Sequence, residues 1–114
     1  MAKYIPERGH LVWLDFEPTK GKEIGKYRPA LVLSSREYNK HSGFIICCPV
    51  STSIRGCLSE VSLHHLQKAS VVVSNIIQTL NWQERKARFI AKVEGKIIAS
   101  VLCRLLPLIG VENL

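Results

Sequence analysis

Along most of the 114-residue chain, apolar residues recur at every second position or in short unbroken runs, with turn-forming residues between them. A period of two is the mark of β-strands, whose successive side chains face opposite ways. "HLVWLDF" (10–16) is the first such segment, entered through Pro6 and Gly9. "PALVLSS" (29–35) and "GFIICCPV" (43–50) follow. Both are nearly continuous apolar runs, which predicts cover on both faces. Pro49 has no backbone donor, so it is expected to end the third strand or to place it at an edge or bulge. "SEVSLHH" (59–65) alternates and predicts a half-exposed strand. "ASVVVSNIIQTLN" (69–81), rich in β-branched residues, holds one or two more, and "RKARFIAKV" (85–93) is a shorter candidate.

Toward the C-terminus the period changes. In "VEGKIIASVLCRLLPLIG", Ile97, Ile98, Val101, Leu102, Leu105 and Leu106 fall on one helical face. Lys96, Ser100 and Arg104 fall on the other, and Pro107 limits the helix downstream. The pattern predicts a helix that lies on the sheet as a lid. A membrane-surface helix is the rival, but its polar face is too weakly basic to favour it. Five to seven short strands followed by one helix predict a mainly β (α+β) fold, a small, curled, SH3-like barrel. With no internal repeat, linker or low-complexity segment, one domain over residues 1–114 is expected.

Composition adds a direction. Sixteen Lys and Arg against nine Asp and Glu give a formal charge of +7, spread along the chain instead of gathered in a tail. Such an excess favours a polyanionic partner, because neutralising phosphates releases counterions. A merely soluble basic protein is the competing explanation. No stretch approaches the roughly 18 apolar residues needed to span a bilayer. "MAKYIPERGH" lacks the apolar core of a secretory signal, so a cytoplasmic location and no membrane partner are expected.

Cys47, Cys48, Cys57 and Cys103 contain no C-x-x-C, and His64-His65 pairs with them at no ligand spacing. Reduced, partly buried thiols are expected, with neither metal nor cofactor. Phosphate-cradling glycine motifs and H-E-x-x-H are absent, and no nucleophile elbow supports a serine triad.

What remains is Arg28 and the "PVSTSIRG" segment at 49–56. Arg28 precedes Pro29, which pushes it into extended geometry at the mouth of the second strand. There a guanidinium can grip a phosphate through two parallel hydrogen bonds. Ser51, Thr52 and Ser53 follow the third strand with three hydroxyls. If strands two and three pair, their ends bring these groups together. A guanidinium beside hydroxyl donors suits an RNA phosphodiester, where negative charge grows on the phosphoryl oxygens as the 2′-hydroxyl attacks. The alternatives are a surface ion pair of Arg28 with Glu23, and a turn whose hydroxyls bond nearby backbone.

At these same residues the sequence resembles the MazF/PemK family of toxin endoribonucleases. "GHLVWLDFEPTKGKEIGKYRPALVLS" follows the family's G-[DE]-[IV]-W-x-[VL]-x-[FL]-[DE]-P-[TS]-x-G-x-E-x-x-x-x-RP-[AV]-[VL]-[VI] pattern almost position for position. "YNKHSGFIICCPVSTSIRG" resembles the next segment, in which an apolar strand leads to P-[IVC]-[TS]. "LNWQER" and the "LxxLIG"-like ending are weaker likenesses, and the match extends over residues 4–110.

The resemblance implies a small barrel with a C-terminal helix, acting as a homodimer. It implies metal-independent cleavage of single-stranded RNA at a short sequence, leaving a 2′,3′-cyclic phosphate and a 5′-hydroxyl. A cognate antitoxin with an acidic C-terminal segment would block the groove, and DNA would be met only indirectly, through that antitoxin. Arg28 matches the family's catalytic arginine, and Ser51 stands where a catalytic threonine is usual, with Thr52 beside it. Glu23 matches a glutamate that serves as base or positioning group. Lys20, Lys22 and Lys26 match loop contacts to RNA.

Two departures stand out. Ser51 keeps the hydroxyl but loses the methyl that restricts rotamers. Asn75, with Ile76 after it, replaces the usual aspartate–glutamine pair; an amide can bond a base edge but cannot take a proton at neutral pH. Trp13 reads as packing, whereas Trp82, near a turn, reads as packing or base stacking. Two alternatives to a toxin nuclease therefore stand. One is a catalytically weakened relative that binds RNA or antitoxin, and the other is an SH3-like interaction module.

Overall fold

The computed structural model describes residues 3–17 and 26–112. Among these residues seven strands form one curled, half-barrel sheet: β1 (His10–Asp15), β2 (Tyr27–Val32), β3 (Phe44–Ser51), β4 (Glu60–Leu63), β5 (Ser70–Val73), β6 (Gln78–Asn81) and β7 (Arg88–Lys92). Their order across the sheet is β4-β5-β3-β2-β1-β7, with β6 also paired to β3. Helix α1 (Arg36–Ser42) joins β2 to β3, and α2 (Gly95–Leu105) follows β7 before a 3-10 turn at Leu106–Ile109.

The period-two pattern divides two packed layers between the faces of the sheet. On and just after β2, Leu31 and Leu33 join one cluster, with Leu11, Cys48, Leu63 and Val72, while Ala30 and Val32 join the other, with Val12, Leu14, Ile45 and Trp82. Cys47 and Cys48 separate in the same way, one into each layer. Burial pushes both thiols well above their usual range, that of Cys48 to about 12, so they stay protonated. All four cysteines are free.

Helix α2 is the lid that its pattern predicts. Val101 and Leu105 are buried in the first cluster, and Ile97, Ile98 and Leu106 pack against it. Lys96 and Arg104 are exposed, and the chain tightens into the 3-10 turn at Pro107. Among the described residues, no helix is long and apolar enough to cross a membrane.

Two expectations need correction, and one open alternative closes. Pro49 neither ends β3 nor lies at an edge. It is fully buried and pairs with Ala30, between the last β6 pair (Cys47–Gln78) and the first β5 pair (Val50–Val72). The residue without an N–H thus falls where β3 exchanges one neighbour for another. Strand β2 stops at Val32 instead of running to Ser35, because Ser35 caps a helix absent from the sequence reading. The Ser35 hydroxyl accepts from the Tyr38 N–H, and Gly43, at φ 77°, closes α1 in the left-handed conformation. Finally, Trp82 settles as packing: it is 7% exposed, and its indole N–H donates to the Asn39 carbonyl at 2.8 Å.

Candidate active site

The β2–β3 ladder sets the site. Its pairs are Val32–Cys47, Leu31–Cys48 and Ala30–Pro49. Continued two residues further, this register places Arg28 opposite Ser51. Both are half-buried at their strand ends, and both line one cleft of about 380 Å³. Ser53 and Asn75 share it, together with Arg55, Cys57, Ser59 and Glu60.

Partial burial lowers the Arg28 pKa from its usual value, since a desolvated cation is less stable. That is the direction in which a guanidinium becomes a better proton donor while keeping its charge at neutral pH. Ser51 Oγ accepts the backbone N–H of Ser53 at 3.0 Å, forming the turn that the composition of 51–53 predicts. Its own O–H remains available to donate into the cleft. The turn reading and the ligand reading are therefore compatible.

The candidates do not all meet. Consecutive residues of an extended chain diverge, and Thr52 lines a separate, apolar groove of about 390 Å³ with Trp13, Pro29, Val50, Leu66 and Ile90. Arg28 and Pro29 divide between the two depressions in the same manner. Trp13 stacks on Tyr27, ring centroids 5.7 Å apart and planes at 13°, which makes it a wall of that groove. Lys26 sits at φ 71°, with its N–H on Glu17 Oε1 at 2.8 Å and its carbonyl accepting from Phe16. It is not among the residues lining the cleft. Glu23, Lys20 and Lys22 lie outside the described residues.

Sequence reasoning missed Arg55 and Glu60. Both carboxylate oxygens of Glu60 accept the Arg55 N–H, at 3.1 and 3.2 Å, and one also accepts that of Gly56 at 2.8 Å. No motif announces this contact; a cation and a glycine leaving a strand that ends in a hydroxyl were the only signal. Among the described residues, no three His, Cys, Asp or Glu side chains cluster as metal ligands.

Residues 7–109 match the family model described as PemK-like, MazF-like toxin of type II toxin-antitoxin system. Endoribonuclease toxin MazF of Escherichia coli strain K12 is 33% identical over 110 residues, covering 96% of this chain and 99% of that protein. The crystal structure of MazF from Deinococcus radiodurans superposes with a TM-score of 0.91 at 40% identity, over 96% of this chain and all of that one. A MazE–MazF structure from the same organism matches at 40% identity with a TM-score of 0.85, over 96% and 100% of the two chains.

Proposed function

The chain belongs to the PemK/MazF family of type II toxins, and from that premise we propose that it is an endoribonuclease toxin that cleaves single-stranded RNA. The observation that carries the reading is the Arg28–Ser51 pair, held across one ladder into one cationic cleft. In this mechanism the ribose 2′-hydroxyl attacks the adjacent phosphorus and the bond to the 5′-oxygen breaks. Arg28 bonds the phosphoryl oxygens as their negative charge grows and passes a proton to the departing oxygen. Ser51 donates to a non-bridging oxygen. The products are a 2′,3′-cyclic phosphate and a 5′-hydroxyl.

A base must accept the 2′-hydroxyl proton. Asn75, exposed in the cleft, cannot do so at neutral pH and is assigned instead to a base edge of the RNA. Glu23 is the candidate base, and Lys20, Lys22 and Lys26 supply positive charge beside the RNA. Thr52 is set aside as a reacting group, because it faces the other groove.

The same reading includes a cognate antitoxin whose acidic, extended segment covers the cationic cleft, a homodimer, and a cytoplasmic site of action. Exposed Leu58, Leu108 and Ile109 offer apolar surface for the dimer. Arg104 Nε, bonded to the Leu58 carbonyl at 2.8 Å, holds the first of them beside α2.

No step of this route uses a metal, so cleavage of a long RNA in excess EDTA is expected to continue and to give discrete fragments with cyclic-phosphate ends. Intact RNA under those conditions, with tight binding retained, would leave a relative that binds without cutting. Ser51→Ala is expected to slow cleavage on the order of ten-fold, less than loss of a fully dry oxyanion donor, because water can reach a half-buried site. Ser51→Thr should stay near the parent rate; equal losses in both variants would show that the hydroxyl plays no part.

A further inference from the structure

We infer that Arg55 forms a second phosphate-binding position in the cleft and that Glu60 is the positioning residue that keeps it there. The inference rests on the RNA-cleaving reading of Arg28 and Ser51. Residues 52–59 join β3 to β4 without helix or strand, and residues 52–58 are exposed. An arginine on such a connection ordinarily samples many directions, since each freely moving residue retains about 1–2 kcal/mol of backbone entropy. Yet Arg55 is among the residues that line the same cleft as Arg28.

Two ties account for this. Gly56 lies at φ 76°, in the left-handed region, and this conformation turns the successive N–H groups of Arg55 and Gly56 toward one point. The point is occupied by the Glu60 carboxylate, at 2.8 Å from Gly56 N and 3.1 and 3.2 Å from Arg55 N. Glu60 is itself fixed, as the first residue of β4, by its pairing with Val73 and by its own N–H on the Cys57 carbonyl at 3.1 Å. On the outer side, Arg104 of α2 holds the Leu58 carbonyl. The connection is thereby staked to the sheet and to the lid helix.

The geometry also separates Glu60 from the reaction's base. Both of its oxygens already accept backbone donors, so its charge is spent on the loop. The residue whose backbone it holds, Arg55, lines the cleft. A single strand carries one phosphate per nucleotide, and a cleft with two guanidiniums can hold two of them. Arg28 takes the scissile group and Arg55 an adjacent one, which fixes the direction of the strand across Ser51.

The test reads binding on a mixed-sequence single strand with 2′-methoxy groups throughout, which cannot be cut, and cleavage separately on ordinary RNA. Arg55→Ala is expected to weaken binding roughly ten-fold, the loss of about one charge-assisted contact. It should also reduce the slope of log affinity against log salt by about 0.7. Glu60→Ala should do the same, and the double variant should be no weaker than either single one. Glu60→Gln, which retains an acceptor oxygen, should recover most of the affinity. On cleavable RNA the Arg55 and Glu60 losses should fall on KM and leave the pH profile in place.

Wild-type binding by Arg55→Ala overturns the inference, as does a fall in kcat of about 10²-fold for Glu60→Gln with its KM unchanged, the mark of a lost base. Should Glu60→Ala fail to fold, Arg55→Ala and Glu60→Gln still decide the matter. Failure of the parent protein to cut RNA defeats the nuclease reading alone, because binding is measured on a strand that no nuclease of this type can cleave.

Discussion

Arg28→Ala is expected to reduce RNA cleavage on the order of 10²-fold or more, with most of the loss in kcat. In the proposed complex several cations share the grip on the ground-state strand, so removing one of them is expected to weaken binding only modestly. The transition state concentrates new charge on the phosphoryl oxygens and the leaving oxygen, and Arg28 is the half-buried cation opposite Ser51. Its partial burial matters here, because a donor removed from water is worth more to a developing charge than an exposed one. Single-turnover cleavage at saturating protein, followed by end-group analysis, reads this directly. Arg28→Lys should recover little, since an ammonium restores charge without the planar fork. Cutting by Arg28→Ala within about three-fold of the parent would remove Arg28 from the chemistry altogether, general acids ordinarily contributing far more than that.

The second large effect lies away from the cleft. Asn39→Ala is expected to destabilise the protein by about 3 kcal/mol, the sum of a stranded buried carbonyl and a small void. Asn39 is fully buried in α1. Its amide donates to the Pro6 carbonyl at 2.7 Å and to that of Ser34 at 3.3 Å, while its oxygen accepts the Ser34 hydroxyl. The same Ser34 oxygen takes the Ile46 N–H at 2.9 Å. One side chain therefore joins the N-terminal segment, the end of β2 and the start of β3. At about 4–8 °C per kcal/mol for a domain of roughly this size, a fall in Tm of more than 10 °C is expected by circular dichroism. Asn75→Ala, at an exposed position, should move Tm by no more than the few tenths of a kcal/mol usual for surface changes. Similar Tm values for the two variants would show that the Asn39 network holds nothing together.

These two asparagines mark the boundary of what the sequence makes legible. Hydrophobic patterning locates each strand among the described residues, divides Cys47 from Cys48, and gives α2 its buried stripe. It is blind to α1, whose seven residues, "REYNKHS", bury only Asn39. A polar residue in the core has no hydrophobic period, so only the caps at Ser35 and Gly43 announce that helix. At the site, Arg28 and Ser51 are legible because each ends a strand, and pairing the two strands brings the ends together. Thr52 lines the other groove, a placement that a run of hydroxyls does not encode. Arg55 and Glu60 escape it because a connection without period takes its shape from contacts four and five residues apart, which no pattern encodes.

The β2–β3 ladder also ties the chemistry to the interior. Were one residue deleted between Phe44 and Pro49, the strand could keep its lid and its cleft only by sliding. For loss of Ile46, holding the residues before it would bring Thr52 to where Ser51 stands but exchange the two cysteines between layers, and holding the residues after it would instead carry Ile45 out of its own layer. Tinkering with chain length near the cleft is therefore policed by the oily residues behind it. Evolution can retouch this cleft by swapping side chains, and hardly at all by trimming or padding the strand that bears it.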